Sequence, residues 1–490
     1  MPFYIFTERI KKMKILFVAS EALPFASTGG LADVAGSLPG AVKKAAGKGW
    51  DVRVVLPLYA GIKENYGDGL KFITDTRVQL SWRNQYCGIF SYEKDGVTYY
   101  FIDNEYYFKR GSLYGSYDDG ERFAYFGKAV MELMRVMDFY PDIMHANDWQ
   151  SAPAVIYLKR KFAHLDEYNK IRVLFTIHNI AYQGKYGFEI LGDVFELGFW
   201  DRDVVEYDGC INLLKGAICC SDKISTVSLK YSQELMDDYF ASGLGPILRE
   251  NAWKMTGITN GIDVDYYNPK TDTEIAKNFT SSKMAGKEAC KRELCEICGF
   301  YSADMPIISM VSRLAAHKGF DLVSRVLEEI ICTSDVNFVL LGTGEKEFED
   351  YFCGLAARHP GRVSVILKYD KALSKKIYAG SDIFLMPSQS EPCGLSQMIA
   401  SRYGTVPVVR ETGGLFDTIR AYNKYDGTGN GFSFANYNAH EMMGVIKDAI
   451  GLYYDKTAWK ALVKNVMAVD FSWKASAERY IDLYNEIANY

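Results

Sequence analysis

The sequence predicts an α/β protein of two doubly wound domains facing across a cleft. Strands alternate with helices through both halves of the chain, the signature of parallel sheets. At 490 residues the chain is long for one core and natural for two. A stretch of turn residues, TNGIDVDYYNP from Thr259 to Pro269, falls between the halves. The expected division is residues 13–258, a linker at 259–263, residues 264–470, and an amphipathic helix over 472–490. By its sequence that helix is free to dock on either domain, and it is read as crossing back to the first.

Met13-Lys14-Ile15-Leu16-Phe17-Val18 begins the fold, with a strand over Ile15–Ala19 and a helix over Leu31–Lys48. The alternation continues through Val52–Leu56, Arg122–Met137, Ile143–His145, Ala152–Arg160 and Val173–Thr176. Leu70–Phe101 is richer in β-branched and aromatic residues and reads as one or two inserted hairpins. A loop carrying Tyr106, Tyr107, Tyr114 and Tyr117 follows, with side chains suited either to stacking on sugar rings or to ordinary packing. The second half repeats the pattern: Ile307–Val311, Leu322–Cys332, Phe338–Leu341, Lys346–Ala356, Val363–Leu367, Ala372–Ala379, Ile383–Met386, Leu395–Tyr403 and Val406–Val409. Short apolar runs such as Ile383–Met386 have the length and neighbours of strands buried on both faces.

Composition narrows the function classes. Apolar residues make up 48% and charged residues 24%, as in ordinary soluble proteins. A formal net charge of −5 argues against a nucleic-acid backbone as partner, and no run approaches a membrane span. Residues 1–12 carry a short apolar patch followed by charges, the wrong order for a secretory signal; they read as an extension or a misassigned start. Ten cysteines without a small-domain context suggest a reduced cytosol rather than a disulfide framework. Cys290, Cys295 and Cys298 match part of an iron–sulfur spacing. They lie in a charged segment that reads as a helix stopped by Gly299, so packing is the better account and no metal is assigned.

Candidate chemistry gathers at strand ends, where open α/β sheets bind ligands. After Ile383–Met386 comes Ser388-Gln389-Ser390-Glu391-Pro392-Cys393-Gly394. A carboxylate here, beside helix N–H groups that favour an anion, needs a compensating role, such as hydrogen-bonding a polyol next to a phosphate. After Ile307–Val311 come Arg313 and Lys318, a planar fork and a point charge that suit a diphosphate; the competing reading is two surface cations flanking a turn. In the first half Ser27-Thr28-Gly29-Gly30 opens a helix, and such glycines let backbone N–H groups approach a phosphate, although a tight turn explains them almost as well. His145-Ala146-Asn147-Asp148-Trp149 and Thr176-Ile177-His178 place two of the six histidines at neighbouring strand ends. Each could instead be a histidine satisfied by backbone.

Together these segments resemble the bacterial glycogen synthase and plant starch synthase family. The residues carrying the resemblance are STGGLADVAGSLP (Ser27–Pro39), HANDW (His145–Trp149), TIHNIAYQG (Thr176–Gly184), TNGID (Thr259–Asp263), SRLAAHKG (Ser312–Gly319), EPCGLSQ (Glu391–Gln397) and ETGGLFDT (Glu411–Thr418). The resemblance implies a fold of two Rossmann-like domains (GT-B) and a retaining, metal-independent glucosyl transfer without a cofactor. The partners it implies are ADP-glucose as donor, held mainly by the second domain, and glycogen or maltodextrin as acceptor, on the first. By the same likeness Arg313 and Lys318 match the diphosphate-binding cations and Glu391 the essential acidic residue near the donor glucose. His178 matches the histidine near the sugar, and Asp148 an acidic residue lining the same cleft. Gly29 and Gly30 match a glycine loop near the diphosphate; Thr412, Gly413 and Gly414 match a second backbone contact region. Cys393 and Gly394 sit beside Glu391 in the donor loop.

One position departs from the family pattern. Many members carry lysine just before Thr-Gly-Gly, where this chain has Ser27, so a preference for UDP-glucose stays open beside ADP-glucose. A glucan-binding protein of weak activity also stays open, though the presence of Arg313, Lys318, Glu391 and His178 together argues against it. A phosphorylase-like reading lacks the lysine environment of pyridoxal phosphate. No second carboxylate stands at double-displacement spacing, which favours departure and attack on one face of the sugar.

Overall fold

The strand order of the second half reads, in chain sequence, third-second-first-fourth-fifth-sixth, the doubly wound pattern in which order reverses between the first and fourth strands. The computed structural model describes residues 12–489; the reading of residues 1–11 as an extension lies outside them. The chain forms two units. One runs up to Val227 and adds Ser232–Asn260 and the C-terminal segment from Trp473; the other comprises Ser228–Tyr231 and Gly261–Ser472.

The main sheet of the first unit has nine strands: β1 (Met13–Val18), β2 (Trp50–Pro57), β3 (Lys71–Leu80), β4 (Arg83–Lys94), β5 (Val97–Asp103), β6 (Ile143–Asn147), β7 (Arg172–Ile177), β8 (Lys223–Thr226) and β9 (Met255–Gly257). Their order is β9-β8-β7-β6-β1-β2-β5-β4-β3. All neighbours pair parallel except β3–β4 and β4–β5. The β-rich segment after Leu70 is therefore a meander whose last strand joins β2 in parallel, widening the sheet at one edge. Ile15, Leu16, Phe17 and Val18 are essentially inaccessible, which explains their unbroken apolar run. Helix α1 (Gly30–Ala46) follows β1, and the helix Trp473–Ile487 packs along it. Tyr484 of that helix reaches His145 Nδ1 at 2.7 Å, and Ser476 Oγ donates to Thr259 O at 2.6 Å.

The second unit holds β10 (Ile307–Val311), β11 (Asn337–Leu341), β12 (Val363–Ile366), β13 (Ile383–Met386), β14 (Val406–Arg410) and β15 (Phe432–Phe434), all parallel, in the order β12-β11-β10-β13-β14-β15. Its helix Phe320–Thr333 buries Phe320, Val323, Leu327, Ile330 and Ile331, an i, i+3, i+4 stripe against the sheet. The helix Ala285–Cys298 stops at Gly299, whose φ of 68° is the left-handed conformation such a stop requires. Cys290 and Cys295 are buried in it as packing residues. Where the chain enters and leaves this unit, Ile262 N donates to Phe471 O at 2.8 Å. No helix among the described residues is long and apolar enough to cross a membrane.

Candidate active site

In the second unit β10 and β13 are neighbours at the reversal of strand order, so their C-terminal loops face one crevice of the sheet. The loop after β10 carries Arg313 and Lys318; that after β13 carries Glu391. Lys318 Nζ donates to Glu391 Oε2 at 2.7 Å, and Ser388 Oγ donates to the same oxygen at 3.0 Å. Glu391 is only 6% exposed, so its carboxylate is nearly enclosed by these two donors. Arg313 is exposed, and its guanidinium makes no hydrogen bond or ion pair with any described residue. The two cations expected from sequence thus differ in state, one neutralised and one open.

The glycines of this region show why the loops sit so close. Gly319 has φ +80°, and a Cβ there would lie 2.2 Å from Pro387 O; Gln389 N donates to His317 O at 2.9 Å, tying the two loops together. Gly413, at φ +43°, leaves a Cβ only 2.0 Å from Glu391 O, and a Cβ on Gly414 would meet Cys393 O at 2.1 Å. Gly414 N donates to Glu391 O at 3.1 Å and to Pro392 O at 3.2 Å, while Thr412 N donates to Arg410 O. The Thr412-Gly413-Gly414 segment therefore presses the Glu391 loop into place, a packing role that sequence did not suggest. Gln397 Nε2 donates to Cys393 O and Gly394 O, and Arg410 Nη1 to Gln389 O at 2.7 Å. Cys393 is buried within this brace. Sequence reading also passed over Gly342 and Gly344, whose missing side chains let the loop after β11 abut Ser312 O and Leu314 O; the pair of glycines at a strand end was the available signal.

In the first unit the corresponding reversal lies between β1 and β6. The loop after β1 is organised by Glu21, 4% exposed, whose Oε2 accepts from Thr28 N and from Thr28 Oγ1 at 3.0 Å. Burial pushes the Glu21 carboxyl up to about 7, offset in part by the Thr28 bonds and raised further by Asp33. Gly29 and Gly30 are exposed and a Cβ on either would meet nothing within 4 Å. Gly29 is extended at φ −169°, a conformation open to any residue, so the fold itself does not require glycine there. Gly29→Ala is accordingly expected to leave thermal stability within about 0.5 kcal/mol while weakening whatever ligand approaches this loop. Gly413→Ala should unfold several degrees earlier. Melting curves of both, with donor KM for the first, check the contrast.

Asp148 follows β6 with φ +56°, an uncommon conformation for a residue with a side chain. Its Oδ1 accepts from His178 N at 2.7 Å. Part of its surface stays open, yet the carboxyl is enclosed enough that burial pushes it up to about 7, opposed by the His178 and Asn179 amides and helped by the Glu21 charge. His178, after β7, is 8% exposed, and burial lowers it to about 3, so it is neutral. Its Nε2 bonds Asn147 Oδ1 at 2.9 Å. His145 is resolved as structural: it is fully buried, with Nδ1 on Tyr484 and Nε2 on Thr176 Oγ1 at 2.6 Å. Tyr114 is half-buried with its hydroxyl on Ser20 Oγ at 2.7 Å, next to the Glu21 loop, whereas Tyr117 is fully exposed.

Known proteins repeat both halves of this arrangement. Residues 14–250 match the family described as Starch synthase catalytic domain, and residues 302–461 that described as Glycosyl transferases group 1. A protein of Clostridium botulinum (strain Alaska E43 / Type E3) named Glycogen synthase is 47% identical over 480 residues, spanning 97% of this chain and 100% of the relative. One of the same name from Bacillus cereus (strain ATCC 14579) is 46% identical over 478 residues, spanning 97% of this chain and 100% of the relative. The catalytic domain of Starch Synthase IV from Arabidopsis thaliana, solved bound to ADP and acarbose, superposes with a TM-score of 0.89 at 32% identity, covering 98% of this chain and 100% of that one. A sucrose-phosphate synthase from Thermosynechococcus elongatus, at 16% identity and a TM-score of 0.59 over 97% of this chain and 99% of its own, shares the fold alone. With full-length relatives at this identity and both domain families in order, the chain belongs to the starch and glycogen synthase family of glycosyltransferases.

Proposed function

We propose that the chain is a glycogen synthase that moves the glucosyl group of ADP-glucose to the non-reducing end of an α-1,4-glucan with retention of configuration. The observation carrying this reading is the Lys318–Glu391 pair at the strand reversal, with Arg313 unpaired beside it in sequence. Arg313 and Lys318 hold the diphosphate and stabilise the charge that develops on its leaving oxygen, a preorganised electrostatic effect. Glu391 orients the glucose hydroxyls and complements the positive charge growing at the anomeric carbon. The bond from that carbon to the phosphate oxygen breaks, the acceptor hydroxyl attacks from the same face, and its proton passes to the leaving phosphate oxygen, releasing ADP. On the family likeness, His178 and Asp148 are assigned to the sugar and the Gly29–Gly30 loop to the diphosphate. Ten free cysteines favour the cytoplasm as its compartment.

Ser27 favours testing a second donor. It is exposed and uncharged, and the adjacent Thr28 is bonded to a carboxylate, not to a cation. The deciding experiment is transfer of labelled glucose to glycogen from ADP-glucose and UDP-glucose in parallel, with Glu391→Ala as control. Incorporation from ADP-glucose that vanishes in the variant supports the reading. A UDP-glucose preference keeps the enzyme class and assigns the change to Ser27. Absence of transfer with glycogen still bound overturns it in favour of a binding protein. Lys318→Ala is expected to lower kcat by on the order of 10²–10³-fold with glycogen affinity unchanged; unaltered turnover removes its role.

A further inference from the structure

We propose that Asn147 is a positioning residue that fixes the tautomer of His178, holding Nε2 protonated and presenting Nδ1 as a hydrogen-bond acceptor for a hydroxyl of the transferred sugar. The inference rests on the reading above that His178 faces the sugar, and it assigns the atom and the direction of the bond.

The argument starts from the amide of Asn147, the last residue of β6 and 1% exposed. Its Nδ2 donates to Val18 O at 3.2 Å and to His145 O at 3.1 Å. Both partners are carbonyls, which only accept, so the amide group must face them and the orientation of the side chain is decided. The carbonyl Oδ1 is then the atom 2.9 Å from His178 Nε2. An amide oxygen cannot donate, so Nε2 must carry the hydrogen. In a neutral imidazole the other nitrogen is then a lone-pair acceptor.

Neutrality has its own cause. Burial lowers His178 to about 3, and Asp148 Oδ1, the nearby carboxylate oxygen, is engaged by the His178 backbone N–H instead of the ring. Nδ1 has no partner among the described residues, while the backbone bond to Asp148 fixes the residue's position. His178 therefore offers an acceptor and not a cation. A ligand group with a hydrogen to give, such as a sugar hydroxyl, fits it; a phosphate oxygen does not. Asn147 in turn is held against rotation by its two amide bonds, to Val18 O and His145 O.

Nitrogen-15 NMR of histidine-labelled full-length protein at about pH 7, with His178→Ala to assign its signals, reads this directly. The expected result is the Nε2–H form of His178. Asn147→Ala should convert it to a mixture of tautomers and lower kcat on the order of 10²-fold, with a smaller change in donor KM. An Nδ1–H or imidazolium form in the wild-type protein overturns the proposal whether or not the variant folds. So does a shifted tautomer in Asn147→Ala with turnover within twofold of wild type. Failure of the underlying site reading is separately visible, since His178→Ala would then retain full turnover.

Discussion

Glu391→Gln is expected to lower kcat by on the order of 10²–10³-fold while ADP binds as well as, or better than, it does to the wild-type protein. The split follows from the pair that Glu391 forms. Its carboxylate is almost enclosed and accepts from Lys318 Nζ at 2.7 Å and Ser388 Oγ at 3.0 Å. A glutamine keeps the shape but has no charge to offset positive charge at the anomeric carbon, so the transition state is affected more than the ground state. Lys318, released from its counter-ion, becomes a freer cation for a diphosphate. Some stability is lost because Lys318 is one-fifth exposed and left unpaired; a loss of about 1–3 kcal/mol is expected, below that of breaking a fully buried pair. Turnover measured beside calorimetric ADP affinity checks this. A turnover within tenfold of wild type, or ADP binding that collapses together with kcat, would contradict the role given to Glu391.

The residues of this pair were visible in sequence because charge at the end of an apolar run stands out. Ile383–Met386 and Ile307–Val311 are apolar for a physical reason: strands covered on both faces exclude water from every side chain. Elements that bury polar groups were harder to see. Strand β8 is Lys-Ile-Ser-Thr, with one apolar residue, and is secured instead by Ser225 Oγ on Thr176 Oγ1 at 2.6 Å and Thr226 Oγ1 on Ile177 O at 2.7 Å. No pattern of hydrophobicity reports such a strand. Glu21, at the start of this strand-end loop, received no role from sequence for a similar reason: its importance lies in a bond to Thr28, seven residues on, and local sequence does not reveal which way the loop folds back. Paired glycines read identically at 29–30 and 413–414. Only coordinates separate the first pair, open to solvent, from the second, wedged against the Glu391 loop.

Acid is expected to stabilise the first unit through Glu21 and Asp148, so that, on the role proposed for Asp148, stability and turnover move in opposite directions between about pH 8 and pH 5. Glu21 and Asp148 are both raised to about 7, chiefly by burial. A carboxyl whose pKa is higher folded than unfolded holds a proton that the unfolded chain releases. The folded state therefore gains stability as pH falls from about 7 toward about 4, and the full penalty of burying the charge is present above about 7. A rise of about 2.5 units corresponds to about 3 kcal/mol for Glu21; the rise of Asp148 is of similar size, discounted because part of its surface is open. Activity runs the other way. If Asp148 acts, as proposed, as an anion against the sugar, kcat/KM should fall below about pH 7 with a slope of one proton. Asp148→Asn removes one titrating group, so the rise in melting temperature on acidification should shrink and the acid limb should disappear at a low, pH-independent rate. Melting curves and kcat/KM across this range, for both proteins, provide the check. An acid limb unchanged in Asp148→Asn assigns the proton elsewhere. A wild-type melting temperature that drops steadily from pH 8 to pH 5 means that these carboxyls are not buried as charges.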